Sequence, residues 1–168
     1  GSLSYYNGEM QNCAEEYCTY VLEQYEKAKE YCSDPLVFIE QRLDFSRYVE
    51  NGFGTGDCVI IADEVLHIID YKHGLGVLVE SEGNTQMMCY ALGALEAFDD
   101  LYDVNTIEMT IFQPRRENVS TWSISKEELL TWAEEVLKPT AALAYEGKGE
   151  FKAGDHCQFC KVKATCRK

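Results

Sequence analysis

The sequence predicts an α/β domain built on a mixed central β-sheet flanked by helices. Two observations carry this. Segments of helical apolar spacing alternate with short β-favouring runs in the order α-β-β-β-α-β-(β)-α. The 168 residues, 46% of them hydrophobic, are also enough for one domain around one core. Residues 1–168 are therefore expected to form one domain, with residues 150–168 as a cysteine-bearing C-terminal tail.

The stretch from Glu9 to Cys32 holds neither Gly nor Pro. Met10, Cys13, Tyr17, Val21, Tyr25 and Ala28 recur along it at helical spacing, which predicts a long amphipathic helix. Ser33-Asp34-Pro35 ends it. Leu36 to Phe45 is rich in apolar and β-favouring residues and reads as a strand. Val49 to Gly56 contains Gly52, Gly54 and Gly56 and reads as a turn region. Asp57 to Ala62 is the second strand and Val65 to Tyr71 the third. Asp63-Glu64 between them is a two-residue turn, so the two strands form a hairpin.

Gly74 and Gly76 open a loop that runs to Gly83. Asn84 to Phe98 reads as a helix with Met88, Ala91, Leu92 and Leu95 on its apolar side. Thr106 to Gln113 is a fourth strand stopped by Pro114, and Ser120 to Ile124 is a candidate fifth. Ser125 caps a last helix with Glu127 and Glu128 in its first turn. That helix runs to about Tyr145, with Pro139 expected to bend or split it. From Gly147 the chain reads as loop.

The net charge is −14, which argues against a general nucleic-acid coat and against tight non-specific DNA binding. It does not argue against a metal enzyme, whose site is itself made of carboxylates. No apolar run of about 18 residues occurs, and no signal-peptide pattern opens the chain. The chain begins Gly1-Ser2 rather than with Met, as a piece of a longer protein does. The eight cysteines are unevenly spread. Cys58 and Cys89 sit inside apolar patterns and read as core. The distribution does not resemble a secreted disulfide framework, so a reducing cytoplasmic compartment is expected.

Chemistry concentrates around the hairpin. Gly54-Thr55-Gly56-Asp57 places a carboxylate at the start of strand two, and Asp70-Tyr71-Lys72 closes strand three. Side chains alternate along a strand, so Asp70 and Lys72 project from one face. Hairpin pairing brings Asp57 towards Asp70. Two carboxylates with the backbone carbonyl of Tyr71 form a hard oxygen set that suits Mg²⁺ or Mn²⁺. Such an ion polarises a phosphate and acidifies a bound water, and Lys72 can orient that water or stabilise developing charge. Taken alone, Asp-x-Lys at a strand end is more often a surface ion pair. Gln86 and Tyr90 lie four apart on one helical face, which by itself is an ordinary polar helix edge. Glu40, polar within an apolar strand, either reaches the same ion, buttresses Lys72 or simply faces solvent.

In order, Glu40, Gly56-Asp57, Asp70-Tyr71-Lys72, and Gln86 with Tyr90 resemble the RecB-like branch of the PD-(D/E)XK nuclease superfamily. Arg42-Leu43-Asp44-Phe45-Ser46-Arg47, Gly52 to Asp57 and Gln86 to Leu95 are similar to a phage-associated family of that branch. The resemblance spans the chain from about residue 9 onward. It implies a restriction-endonuclease-like fold and Mg²⁺- or Mn²⁺-dependent hydrolysis of DNA phosphodiester bonds, by analogy as an exonuclease in phage recombination or replication. It implies Asp57 and Asp70 as metal ligands, Lys72 as the catalytic lysine, and Glu40, Gln86 and Tyr90 as supporting elements. Relatives carry a metal-binding His on a helix upstream of the Glu40 strand. None of His67, His73 and His156 stands there. An N-terminal segment beyond this chain is expected to hold that His.

Cys157, Cys160 and Cys166 form C-x2-C-x5-C, a spacing that suits zinc or one corner of an iron–sulfur cluster. The resemblance implies a [4Fe–4S] cluster with a fourth ligand from near the N-terminus. Cys13, Cys18, Cys32 and His156 are candidates for that ligand, although Cys13 also fits the buried face of its helix. Arg115-Arg116, Lys72 and the basic tail Lys161 to Lys168 are a possible local strip for DNA. Two other readings stay open: a DNA-binding module of this fold that does not cleave, and a structural domain whose one metal site is the cysteine cluster.

Overall fold

A computed structural model describes residues 2–74, 76–98 and 103–148, with side chains described within residues 12–144. Helix α1 (Ser2–Tyr31) leads into strands β1 (Leu36–Asp44), β2 (Phe53–Ala62) and β3 (Val65–Tyr71). Helix α2 (Thr85–Phe98) crosses to β4 (Thr106–Gln113). A 3₁₀ turn (Pro114–Arg116) joins β4 to β5 (Asn118–Ser125). Helices α3 (Lys126–Trp132) and α4 (Lys138–Lys148) follow, joined through a π-helical turn (Ala133–Leu137). The chain is α/β, and its five-stranded sheet has the order β1-β2-β3-β4-β5. Only the β3–β4 pair is parallel; the other three are antiparallel. Parallel neighbours need a long crossover, which α2 supplies.

Each face of the sheet is covered. On one side Leu66, Ile68, Val59, Ile61, Ile107, Met109 and Ile111 pack against α2, α3 and α4 in the main core. On the other, Cys58, Ile60, Ala62 and Ile69 meet Ala28, Tyr17, Tyr20 and Val21 of α1. This double burial explains why β2 and β3 read as continuous apolar runs rather than alternating ones.

Helix boundaries follow their caps. Asn84 Oδ1 accepts from the Met87 amide at 3.0 Å, so Asn84 is the cap of α2 and not its first turn. At α3, Ser125 and Glu128 form a reciprocal capping box, with Glu127 and Glu128 in the first turn. Pro139 does not end the helical stretch, which is divided into α3 and α4 just before it. The preceding turn widens to π geometry, and the helix continues to Lys148. Proline lacks an N–H and crowds the carbonyl four residues back, and a wider turn relieves both problems.

Two boundaries correct the sequence reading. The region around Gly54 and Gly56 is not a turn: β2 begins at Phe53 and pairs with β1 as far as Asp44↔Phe53. A Cβ on Gly56 would come within 2.8 Å of Leu43 Cδ1, so glycine here lets a buried leucine lie across the strand. The true turn is short, with Gly52 N–H donating to Val49 O at 2.7 Å and Phe45 N–H to Gly52 O at 3.1 Å. The fifth strand is also longer than expected, running from Asn118 to Ser125.

Candidate active site

Hairpin register builds the site. Cys58 pairs with Ile69, so the next step along each strand sets Asp57 beside Asp70. The two carboxyl groups are near enough for the charge of one to act on the other. Asp57 Oδ2 also accepts from the Tyr71 backbone N–H at 2.7 Å. Burial pushes the Asp57 carboxyl up to about 6, and the charge of Asp70 pushes the same way against the Tyr71 N–H and Lys72. Two acidic groups held together and half out of water disfavour a second negative charge.

Alternation puts Asp70 and Lys72 on the α2 side of the sheet, in line with Leu66 and Ile68. Lys72 Nζ lies 2.8 Å from Asp70 Oδ2 and donates to Gln86 Oε1 at 3.1 Å. Gln86 Nε2 donates in turn to the Tyr90 hydroxyl at 3.1 Å. One turn of α2 thus carries both residues of a chain running Asp70, Lys72, Gln86, Tyr90. Tyr90 lies directly over Gly54, where an added Cβ would collide with Cε1 of its ring. The sequence signal Gly54-x-Gly56-Asp57 therefore records packing clearance beside the site as well as the acid itself.

Asp57 owes its direction to an irregularity. The β1–β2 ladder runs without insertion from Leu36↔Ile61 to Asp44↔Phe53, but no pairing joins Glu40 to Asp57. Glu40 has φ 51°, in the left-handed region. Alternation resets there: Phe38 and Leu43, an odd number of positions apart, both pack into the α2-side core. On β2 likewise, Gly54 faces Tyr90 while Val59 and Ile61 lie in that same core. Both strands switch faces at one level, and Asp57 stands at the switch. Left-handed backbone at a non-glycine residue is costly and concentrates at functional positions.

The expected residues are thus partly assembled. Asp57, Asp70, Lys72, Gln86 and Tyr90 are brought together. Glu40 is exposed and shares a cavity of about 380 Å³ with Asp57 and Tyr71, while Lys72 pairs with Asp70 and Gln86 instead. Arg115 and Arg116 follow β4, which runs parallel to β3, so they lie at the Lys72 end of the sheet. The Tyr71 phenol feels the charge of Arg115. Cys157, Cys160, Cys166, His156 and the basic tail lie outside the described residues. Cys13, Cys58 and Cys89 are buried, Cys18 is exposed, and none of these or Cys32 is in a disulfide.

Sequence reading missed Tyr17. Its spacing on α1 marks it only as an apolar-face residue, yet it reaches the site. It packs edge-on against Tyr71 with ring centroids 5.1 Å apart. Its hydroxyl is buried with no hydrogen-bond partner among the described residues. Burial, then the charges of Cys58, Asp57 and Asp70, hold its ionisation well above the usual phenol range. A helical period distinguishes faces but not which position on a face meets a carboxylate.

Among the described residues no three His, Cys, Asp or Glu side chains converge, so the two carboxylates are the acidic side chains the site offers. Carboxylate oxygens are the donor type that hard divalent ions take. Two adjacent acids, one of them with its carboxyl pushed up by burial, are the arrangement a cation relieves. Among the described residues, no helix is long and apolar enough to cross a membrane. A family model described as "Protein of unknown function (DUF2800)" matches residues 2–168, and the chain belongs to that family.

Proposed function

We propose that this DUF2800 domain is a metal-dependent deoxyribonuclease of the PD-(D/E)XK type, acting as an exonuclease. The observation that supports it most is the register that sets Asp57 beside Asp70, with a lysine held at 2.8 Å from Asp70. Asp57, Asp70 and the Tyr71 carbonyl would hold Mg²⁺ or Mn²⁺, which supplies charge neutralisation at a phosphate and a more acidic water.

The chain's own residues do the rest. Asp70 and Gln86 take two of the three donors of Lys72 and set its position. Its third donor orients the attacking water or a phosphate oxygen. Gln86 is a positioning residue, anchored by the buried Tyr90. Arg115 and Arg116 meet the phosphate backbone at the same end of the sheet. With a net charge of −14 the attraction is local, so binding weakens steeply with salt. Cys157, Cys160 and Cys166 bind a [4Fe–4S] cluster or zinc in this proposal, and the free thiols of the described residues suit a reducing cytoplasm. DNA is the partner, in the company of phage recombination or replication proteins.

Asp70→Ala and Lys72→Ala are expected to lower Mn²⁺-dependent cleavage of linear, nicked or single-stranded DNA by at least ~100-fold, with circular dichroism unchanged. Cleavage persisting in both variants would remove the assignment. The second reading, a binding module without cleavage, is favoured by the acidic charge and the absence of a histidine on α1 among the described residues. Failure to bind Mn²⁺ at millimolar concentration, together with retained DNA binding, selects it.

A further inference from the structure

The cavity beside the carboxylate pair has a use of its own. It lies between α1, the middle of β1 and β2 and the end of β3, has a volume of about 380 Å³, and is lined by Tyr17, Ile39, Glu40, Asp57, Tyr71 and His73. That volume is within the range of small-molecule sites. Its walls are mostly rings and aliphatic groups. Tyr71 and His73 lie nearly parallel, with centroids 5.9 Å apart and the Tyr71 hydroxyl 2.8 Å from His73 Nδ1, which fixes both rings. Tyr17 stands edge-on to Tyr71. Ile39 is 61% exposed at the rim, although it is aliphatic. Tyr17 also carries the buried hydroxyl without a partner among the described residues, a feature that packing alone does not explain.

Charge decides what fits. Glu40 repels a phosphate from this cavity, whereas Lys72 attracts one on the far side of the acid pair. A neutral planar group with hydrogen-bond donors on its edge suits both the rings and the carboxylates. On a nucleic-acid strand that group is a base, and stacking on aromatic rings is how unpaired bases are held without sequence preference. A paired base has its edge occupied and cannot enter.

Resting on the nuclease reading, we infer that the cavity seats an unpaired nucleobase adjoining the scissile phosphate, so that the substrate is single-stranded DNA or a frayed end. Tyr17, Tyr71 and His73 supply the stacking surfaces, and Glu40 accepts from the base edge.

Single-stranded oligonucleotides carrying 2-aminopurine at successive positions, bound with Ca²⁺ in place of Mn²⁺, read the subsite without cleavage. Emission is expected to change at one position and not at the others, and the change is lost in Tyr17→Leu and in His73→Ala. His73 is outside the core, so its variant covers the case in which Tyr17→Leu fails to fold. In Mn²⁺, an abasic residue at that position raises KM roughly 5- to 100-fold with a smaller effect on kcat. The same abasic residue then has little further effect in His73→Ala. Identical emission and KM in wild type and both cavity variants overturn the subsite, while loss of cleavage in Asp70→Ala leaves the nuclease reading standing. If the wild type does not cleave, the nuclease reading falls, and an absent 2-aminopurine response overturns the subsite with it.

Discussion

At Gly54 the candidate site and the core compete for the same space. The Tyr90 ring occupies the place where a side chain would begin. Gly54→Ala is therefore expected to displace Tyr90 and, through it, Gln86 and Lys72. Overpacking of this kind costs about 1–3 kcal/mol, measurable as a lower urea midpoint. On the proposed nuclease reading, cleavage should fall more than stability, because Lys72 loses the anchored Gln86 that sets its position. An unchanged midpoint and an unchanged rate would show that Tyr90 shifts freely and anchors nothing. Asp57, Asp70 and Lys72 were legible because strand alternation and hairpin pairing are short-range rules. Tyr17 was not, because its meeting with Tyr71 joins residues 54 positions apart. Glu40 was legible as an anomaly in an apolar strand, but its left-handed backbone was not.

Helix α2 presents the supporting residues of the site, so its start matters. Asn84 caps it through the Met87 N–H, two residues from Gln86. Asn84→Ala should cost about 1 kcal/mol of stability, read by chemical denaturation, and loosen the first turn that holds Gln86. A variant as stable as wild type would mean that Ser81 O, which accepts from the Asn84 N–H at 3.0 Å, holds the turn by itself. The preceding loop is tied down from the other side. Gln113 is buried, accepts from Val79 N–H and donates to Val77 O, both at 3.0 Å. A polar side chain at the end of β4 therefore shapes the path from β3 to α2. Helix and strand types were readable from periodicity and caps. The start of β2 was not, because glycine signals a turn in sequence but serves here as clearance within a paired strand.

Stability of the chain as a whole carries a pH signature away from the site. His67 is buried under α1, with Nε2 2.8 Å from Thr110 Oγ1 and Nδ1 3.5 Å from Glu108 Oε1. Burial first, then the Lys27 charge, lower its pKa from the usual 6.5 to about 4. Its approach to Glu108 is thus that of a neutral ring. A depressed pKa stabilises the fold above 6.5, and that contribution is lost as pH falls through about 4. The loss is on the order of 3 kcal/mol, and His67→Gln should flatten the fall in Tm between pH 7 and 4. A variant that tracks the wild type across that range would place the acid sensitivity elsewhere.

The sequence by itself determined the α/β class, the element order, the hairpin and the pairing of Asp57 with Asp70 and Lys72. Local periodicity, caps and alternation need no knowledge of distant parts of the chain. Tertiary structure decided the strand order, the left-handed kink that turns Asp57 towards β3, the clearance of Tyr90 over Gly54, and the arrival of α1 with Tyr17 at the acid pair. Each of these depends on two surfaces meeting across the sheet, and their fit depends on the shape of both partners at once.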